Sequence, residues 1–196
     1  LPHINFNLEK HIPSQAGLGG GSSDATYTLR LLNKLCQLNL NSATLHQYAV
    51  RLGSDCAFFV TATPAFATGI GDILEPMNAE CAHLHGMYLL IVKPTVAIST
   101  AQAFAFVKPE PTLIKCKDIV AQPVNSEWRN HLTNNFEVSA FKLHPEMHTI
   151  KEQLYNMGAL YAQMSGSGSA FFGIFNTPPT LTANHFNGMF TYLCQL

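Results

Sequence analysis

The stretch from Pro13 to Ala25 constrains this chain more than any other, because it packs four glycines into a short loop that ends in two hydroxyl side chains. It reads Pro-Ser-Gln-Ala-Gly-Leu-Gly-Gly-Gly-Ser-Ser-Asp-Ala. Glycine adopts positive φ angles freely and lets the backbone approach a ligand closely. The N–H groups at the start of a following helix have no intrahelical acceptor and attract anions. The pattern therefore predicts a loop that binds the phosphate groups of a nucleotide.

Two common phosphate loops do not fit this sequence. A Walker A loop has lysine before its Ser or Thr, whereas Gly21 precedes Ser22 here. The dinucleotide-binding fingerprint needs glycine where this chain has Ser22. A flexible Gly/Ser linker is the plain alternative. The flanks favour a folded loop, because Ile4, Phe6 and Leu8 alternate as in a strand and a helical pattern follows the loop.

Composition limits the class of protein. A chain of 196 residues with 47% hydrophobic residues can form one large domain or two small ones. A formal charge of −1 without a Lys/Arg cluster argues against nucleic-acid binding, so a small-molecule ligand is expected. No apolar run is long enough to span a bilayer, so no membrane partner is expected. Five scattered cysteines without a C-x-x-C pair predict reduced thiols and a cytoplasmic protein.

Apolar spacing predicts helices in the first part of the chain. Ala25, Leu29, Leu32 and Cys36 recur at helical spacing directly after the glycine loop. A second helix is predicted to start with Ser42 as its N-cap and to present Leu45, Tyr48, Ala49 and Leu52 on one face. Gly53 is expected to end this helix in the left-handed conformation.

The rest of the chain predicts strands and a second domain. Residues 65–69 are predicted to form a strand, residues 73–86 are predicted to be irregular, and the domains are placed at 1–72 and 73–196. Met87–Val92 predicts a buried strand, Ser99 caps a short helix through Phe106, and residues 145–157 predict a further helix. Three more strands are predicted, at Leu160–Met164, Ala170–Phe175 and Met189–Leu193.

Three features could carry chemistry. Asp55 follows Gly53 among apolar neighbours, and it either faces a substrate hydroxyl or caps a short helix that begins at Cys56; the local pattern favours neither. Ser165-Gly166-Ser167-Gly168 is a second small-residue turn, which could bind phosphate or simply connect a hairpin. The histidine pairs at 83/85 and 144/148 lack an obvious third ligand, so surface histidines are favoured over a metal site.

Five motifs in order resemble the GHMP kinases, and within them the kinases of 4-diphosphocytidyl-2-C-methyl-D-erythritol in the non-mevalonate isoprenoid route. They are Ile12-Pro13 with Ala16–Ala25, Leu52–Asp55, Ala67-x-Gly69-Ile70-Gly71, Ser99–Phe104 and Met164–Ser169. The resemblance implies an α+β fold with two domains, an amino-terminal one of the ribosomal-S5-like type and a ferredoxin-like carboxy-terminal one. It also implies an active site in the cleft between them.

The resemblance implies specific roles for these residues. The segment Ala16, Gly17, Leu18, Gly19, Gly20, Gly21, Ser22 and Ser23 would hold ATP, with Ser22 or Ser23 near Mg²⁺. Asp55 would be the general base for the C2 hydroxyl of the substrate. Thr100 and Phe104 would line the cytidine pocket, and Ser165, Gly166, Ser167 and Gly168 would close around the triphosphate.

The chain also departs from the family pattern. The family usually reads Asn-Asp-Phe-Glu where this chain has Asn134-Asn135-Phe136-Glu137, so the role of this segment is open. The first family motif, with the lysine partner of the catalytic aspartate and a Tyr-His pair, has no counterpart, and Lys10 is not that lysine. The sequence is therefore expected to be an amino-terminally shortened form that is inactive alone.

Other functions remain open at this point. Another GHMP small-molecule kinase, acting on homoserine or a sugar, would share these loops. A non-catalytic ATP-binding relative would share them too, although it would not need Asp55. A structural domain with two glycine turns would leave the order of the motifs to coincidence. Oligomeric state is not predicted.

Overall fold

The computed structural model describes residues 3–108 and 114–196. Its helices are α1 (Gly20–Leu35), α2 (Ser42–Leu52), α3 (Thr100–Phe104), α4 (Cys116–Val120), α5 (Ser126–His131), α6 (Phe136–Leu143) and α7 (Met147–Asn156). Short 3₁₀ helices span Ser54–Val60 and Ala82–Leu84. The strands are β1 (Ala65–Thr68), β2 (Ile73–Pro76), β3 (Tyr88–Lys93), β4 (Tyr161–Met164), β5 (Phe171–Phe175) and β6 (Phe190–Gln195).

The chain forms two compact units. The first unit comprises Leu1–Ser14 and Gly19–Ala79, and the second comprises Gln15–Leu18 and Glu80–Leu196. The glycine loop thus contributes residues to both units. The division into domains at 1–72 and 73–196 stays a prediction.

The first unit is built around α1, α2 and the 3₁₀ helix Ser54–Val60. Its buried apolar residues include Leu45 and Ala49 of α2, Cys56 and Ala57 of the 3₁₀ helix, and Met77 after β2. Strands β1 and β2 form an antiparallel hairpin, in which Thr68 pairs with Ile73 across the Gly69–Asp72 turn. The helices that the apolar spacing predicted after the glycine loop and after Asn41 are confirmed.

Several local predictions in this unit are wrong. Residues 3–10 form no strand, because their backbone pairs with no strand among the described residues. The cap of α2 is Asn41, whose side chain accepts a hydrogen bond from the N–H of Thr44; Ser42 is already helical. Gly53 has φ 171° and is extended rather than left-handed. The stretch predicted as irregular contains β2, whose hydrogen bonds come from its partner β1.

The second unit is a four-stranded antiparallel sheet in the order β4-β5-β3-β6. One face carries the larger core, with Leu90, Val92, Met164 and Phe171 packed against the helices, including Leu154 of α7. The opposite face carries a smaller cluster of Ile119, Trp128, Tyr161 and Ile174. Side chains alternate between the two faces along each strand, as the pleat requires.

This topology agrees with the ferredoxin-like expectation for the carboxy-terminal half. Strands β4 and β5 form the predicted hairpin, and β3 lies between β5 and β6. Helix α7 confirms the helix predicted over 145–157, although Pro145 lies in the turn before it. Helix α3 ends at Phe104, two residues earlier than expected. The short helices α4 and α5 were not predicted, because five or six residues show no clear periodicity.

Candidate phosphate-binding and catalytic site

The start of α1 presents free backbone N–H groups. Gly19 is the N-cap in the left-handed conformation, with φ 65°, and no side chain caps the helix. Its carbonyl accepts the first helical bond, from the N–H of Ser23 at 2.8 Å. The N–H groups of Gly20, Gly21 and Ser22 have no acceptor among residues 3–108 and 114–196. This end of α1 therefore has the donors and the dipole that favour an anion.

Close packing explains two of the glycines. A Cβ on Gly19 would lie 3.0 Å from Cζ of Phe59, and one on Gly20 would lie 2.9 Å from Cγ2 of Ile12. At Gly21, no atom of the described residues lies within 4 Å of the corresponding position. The loop thus packs closely against Phe59 and Ile12 at Gly19 and Gly20, whereas the space beside Gly21 is open.

Lys10 adds a positive charge beside this helix start. Its ammonium group forms an ion pair with the carboxylate of Asp24, the fifth residue of α1. A Cβ on Gly20 would lie 3.8 Å from Lys10 Nζ. Sequence reasoning gave Lys10 no role, because only the fold brings a residue that precedes the loop back to its helix.

Asp55 lies in the first turn of the 3₁₀ helix Ser54–Val60. The helix begins before Cys56 and its N-cap is Gly53, so the alternative in which Asp55 caps a helix beginning at Cys56 is wrong. The side chain is exposed. It makes no hydrogen bond or ion pair within the described parts of the chain. Its carboxylate is therefore free to accept a proton or bind a ligand.

Contacts with α1 fix the position of this 3₁₀ helix. The buried hydroxyl of Thr26 donates to the carbonyl oxygen of Cys56 at 2.9 Å. The guanidinium of Arg30 donates to the carbonyl oxygen of Phe59 at 3.3 Å. The turn after β1 approaches from another side, where a Cβ on Gly71 would lie 3.6 Å from Oδ1 of Asp55. Asp55 and the start of α1 thus belong to one packed group in the first unit.

In the second unit, the first residues of the glycine loop pack against the second glycine turn. The hydroxyl of Ser165 donates to the carbonyl oxygen of Gly17 at 2.8 Å. The N–H of Ala170 donates to the carbonyl oxygen of Ala16 at 3.0 Å. A Cβ on Gly17 would lie 2.0 Å from the carbonyl oxygen of Ser165. The structure thus brings together two segments that the sequence identified separately.

The second turn also presents free N–H groups. Gly166 and Gly168 have positive φ angles of 51° and 92°. The N–H of Gly168 donates to the carbonyl oxygen of Ser165 at 3.0 Å and closes the turn. The N–H groups of Gly166 and Ser167 have no acceptor in the described part of the chain. Successive unpaired N–H groups in such a turn form an anion-binding concavity.

Helix α3 carries the two predicted substrate-binding residues. Ser99 and Gln102 form a capping box that fixes its start. Thr100 is exposed. Phe104 is 60% exposed, and its ring meets that of Phe136 edge-on at a centroid distance of 4.9 Å. Phe104 therefore presents a ring face that a flat ligand could stack on.

Metal-binding side chains do not cluster here. No group of three or more His, Cys, Asp or Glu residues in 3–108 and 114–196 could hold a metal ion. The hydroxyls of Ser22 and Ser23 accept and donate no hydrogen bond among those residues, so both are free for a ligand. Within the same ranges, no helix combines the length and the apolar character needed to cross a membrane.

Comparison with known proteins decides the family. The GHMP kinases N terminal domain matches residues 2–63, and the GHMP kinases C terminal domain matches residues 114–183. A 4-diphosphocytidyl-2-C-methyl-D-erythritol kinase of Bacteroides fragilis is 45% identical over 196 residues, which are 100% of this chain and 70% of that protein. The chain belongs to the GHMP kinase family. The order of the five motifs in the sequence is thereby explained.

Further GHMP kinases show similar coverage. The enzyme of the same name from Bacteroides thetaiotaomicron is 49% identical over 178 residues, covering 91% of this chain and 64% of that protein. A crystal structure of 4-(cytidine 5'-diphospho)-2C-methyl-D-erythritol kinase matches with a TM-score of 0.69 and 31% identity, covering 87% of this chain and 61% of that one. Homoserine kinase from Cytophaga hutchinsonii shares the fold, with a TM-score of 0.65 and 17% identity. This chain spans 61% to 70% of the first three relatives.

Proposed function

We propose that the whole protein containing this chain is an ATP-dependent kinase that phosphorylates the C2 hydroxyl of 4-diphosphocytidyl-2-C-methyl-D-erythritol. The observation that carries this proposal is the 45% identity over the full 196 residues to a kinase named for that substrate. The similarity spans both glycine turns and the helix of Asp55. A reducing, cytoplasmic location agrees with five cysteines that are all free thiols.

The two groups of free N–H donors would bind phosphate groups of ATP. Those of Gly20, Gly21 and Ser22 lie at the positive end of α1, and those of Gly166 and Ser167 lie in the second turn. The hydroxyl of Ser22 or Ser23 would bind Mg²⁺, which neutralises phosphate charge when it is bound. Since phosphoryl transfer depends mainly on positioning and charge stabilisation, such donors can supply much of the catalysis.

Asp55 would act as the general base. Its free carboxylate accepts the proton of the C2 hydroxyl while that oxygen forms a bond to the γ-phosphorus of ATP. The bond between this phosphorus and the oxygen bridging to the β-phosphate then breaks, and ADP leaves. Thr100 and Phe104 would bind the cytidine group, with the Phe104 ring stacked on the base.

The test is ADP release by the whole protein with ATP, Mg²⁺ and each of two acceptors, 4-diphosphocytidyl-2-C-methyl-D-erythritol and homoserine. We expect release only with the cytidine compound, and we expect CDP to compete with it. Release with homoserine alone would move the assignment to another GHMP kinase. Release with neither acceptor from a folded protein that binds ATP would favour a non-catalytic relative.

A further inference from the structure

We propose that Asn134 and Glu137, with Lys151 as the partner of Glu137, are positioning residues that set the backbone of the second glycine turn for phosphate binding. This inference rests on the proposed function, because it assumes that the turn binds ATP. It gives a role to the Asn134–Glu137 segment that the sequence left open.

Both side chains bind the outer edge of β4 at its last residue. Among the strands of the described residues, β4 is at the edge of the sheet, where Met164 pairs with Phe171 of β5 on one side only. On the other side, Oε1 of Glu137 accepts a hydrogen bond from the N–H of Met164 at 2.9 Å. Nδ2 of Asn134 donates to the carbonyl oxygen of Met164 at 2.8 Å. Two side chains thus occupy the place that a neighbouring strand would take.

Asn134 also reaches into the turn itself. Its Nδ2 donates a second hydrogen bond, to the carbonyl oxygen of Gly166 at 2.7 Å. In a planar trans peptide the carbonyl and the following N–H point in opposite directions. Holding the Gly166 oxygen therefore turns the N–H of Ser167 the other way. That N–H is one of the two in the turn that have no acceptor within the described ranges.

The side chains of Asn134 and Glu137 are themselves held in place by hydrogen bonds. Oδ1 of Asn134 accepts from the N–H of Phe136 at 2.9 Å, which fixes the amide orientation. Glu137 is 9% exposed, and its second oxygen accepts from Nζ of Lys151 on α7 at 2.7 Å. Lys151 also neutralises a carboxylate that would otherwise repel phosphate from the neighbouring turn. A buried carboxylate without this partner would be unfavourable.

The first experiment compares Asn134→Asp with Asn135→Asp in the whole protein. Both change an amide to a carboxylate of the same size, but Asn135 is exposed and makes no side-chain bond among the described residues. We expect Asn134→Asp to weaken ATP binding about tenfold or more, since it loses both donors. The ATP affinity of Asn135→Asp should stay within about threefold of wild type, which is a smaller change than the loss of one hydrogen bond would cause. Equal ATP affinities in the two folded variants would overturn the inference.

The second experiment uses Lys151, a partly buried residue of α7 that can be changed if Asn134→Asp does not fold. Lys151→Gln removes the charge, whereas Lys151→Arg keeps it. We expect the KM for ATP to rise roughly fivefold in Lys151→Gln and to recover in Lys151→Arg, with the KM for the acceptor unchanged in both. A merely structural role would shift both KM values together or neither, and that result would contradict the positioning role.

Failure of the proposed function would look different. The wild-type protein is titrated with ATP before any variant is compared. Absence of ATP binding in a folded wild-type protein would reject the kinase assignment itself. If wild type binds ATP normally and the Asn134→Asp and Lys151→Gln variants bind it equally well, only the positioning role would be rejected.

Discussion

The hydroxyl of Ser165 donates a hydrogen bond of 2.8 Å to the carbonyl oxygen of Gly17, a residue 148 positions earlier in the chain. The bond joins the two glycine-rich segments within one unit. It leaves the N–H groups of Gly166 and Ser167 free while the backbone of Gly17 is held against the turn. A substitution at Gly17 should therefore disturb both segments at once.

Gly17→Ala should destabilise the protein far more than a substitution at another left-handed glycine. The new Cβ would lie 2.0 Å from the carbonyl oxygen of Ser165, and the φ angle of +70° is also unfavourable for alanine. Gly188→Ala is the matched control, because Gly188 has φ +73° and no atom of residues 3–108 or 114–196 lies within 4 Å of the position of its added Cβ. We expect the free energy of unfolding to fall by roughly 1–2 kcal/mol in the control. In Gly17→Ala we expect it to fall by at least about 2 kcal/mol more. Urea unfolding of both variants measures the difference, and equal losses would show that the close contact is unimportant.

Asp55→Asn should reduce kcat and leave binding nearly intact. The substitution preserves size but removes the proton acceptor, and general-base catalysis is worth about 10²–10⁴-fold. Asp118→Asn, which changes an exposed carboxylate on α4, is the control and should keep kcat within about twofold. Steady-state ADP release with the cytidine substrate gives kcat and KM for each variant. A near-normal kcat in Asp55→Asn would remove the base assignment.

Phe104→Leu should raise the KM for the cytidine substrate roughly tenfold, because base–aromatic stacking is worth about 1–3 kcal/mol. The KM for ATP should not change. Phe190→Leu removes another partly exposed ring, on β6, and should affect neither value. Loss of the edge contact with Phe136 is expected to lower stability slightly, so melting temperatures are compared first. An unchanged cytidine KM would argue that Phe104 does not contact the base.

Lys93 should make stability depend on pH at the alkaline end. The residue is 7% exposed, and burial lowers its pKa from the ordinary 10.5. Its ammonium group donates to the carbonyl oxygens of Pro94 and Val96 at 2.7 and 2.8 Å. Because the folded state binds the proton less tightly than the unfolded state, the cost of the buried charge is present below the lowered pKa. It is relieved as pH rises toward 10.5, so stability contributed by this group increases with pH.

Lys93→Met isolates this effect, because every other titrating group is common to both proteins. We expect the free energy of unfolding of wild type to rise relative to Lys93→Met as pH rises from neutrality toward 10.5, the ordinary pKa of lysine. Urea unfolding of both proteins across that range measures it. A difference that stays constant with pH would mean that burial does not shift this pKa.

The local elements of both units were largely readable from the sequence. Apolar spacing over Ala25, Leu29 and Leu32 predicted α1, and continuous apolar runs predicted β3 and β5, because these patterns fall within one element. Strand β2 was missed, since four residues at Ile73–Pro76 carry little pattern and gain their identity from pairing with β1. The left-handed conformation predicted for Gly53 was wrong, because glycine permits both the left-handed and the extended conformation and the sequence does not distinguish them.

The sequence by itself identified two glycine turns and the carboxylate of Asp55 as candidates for the chemistry, because glycine density and residue type are local properties. Only the tertiary structure decided how these residues are held. The hydrogen bonds from Ser165 to Gly17 and from Asn134 to Gly166 join residues that are distant along the chain. Such contacts depend on the pairing of β4 with β5 and on the packing of helices beside the sheet, and no local pattern encodes them.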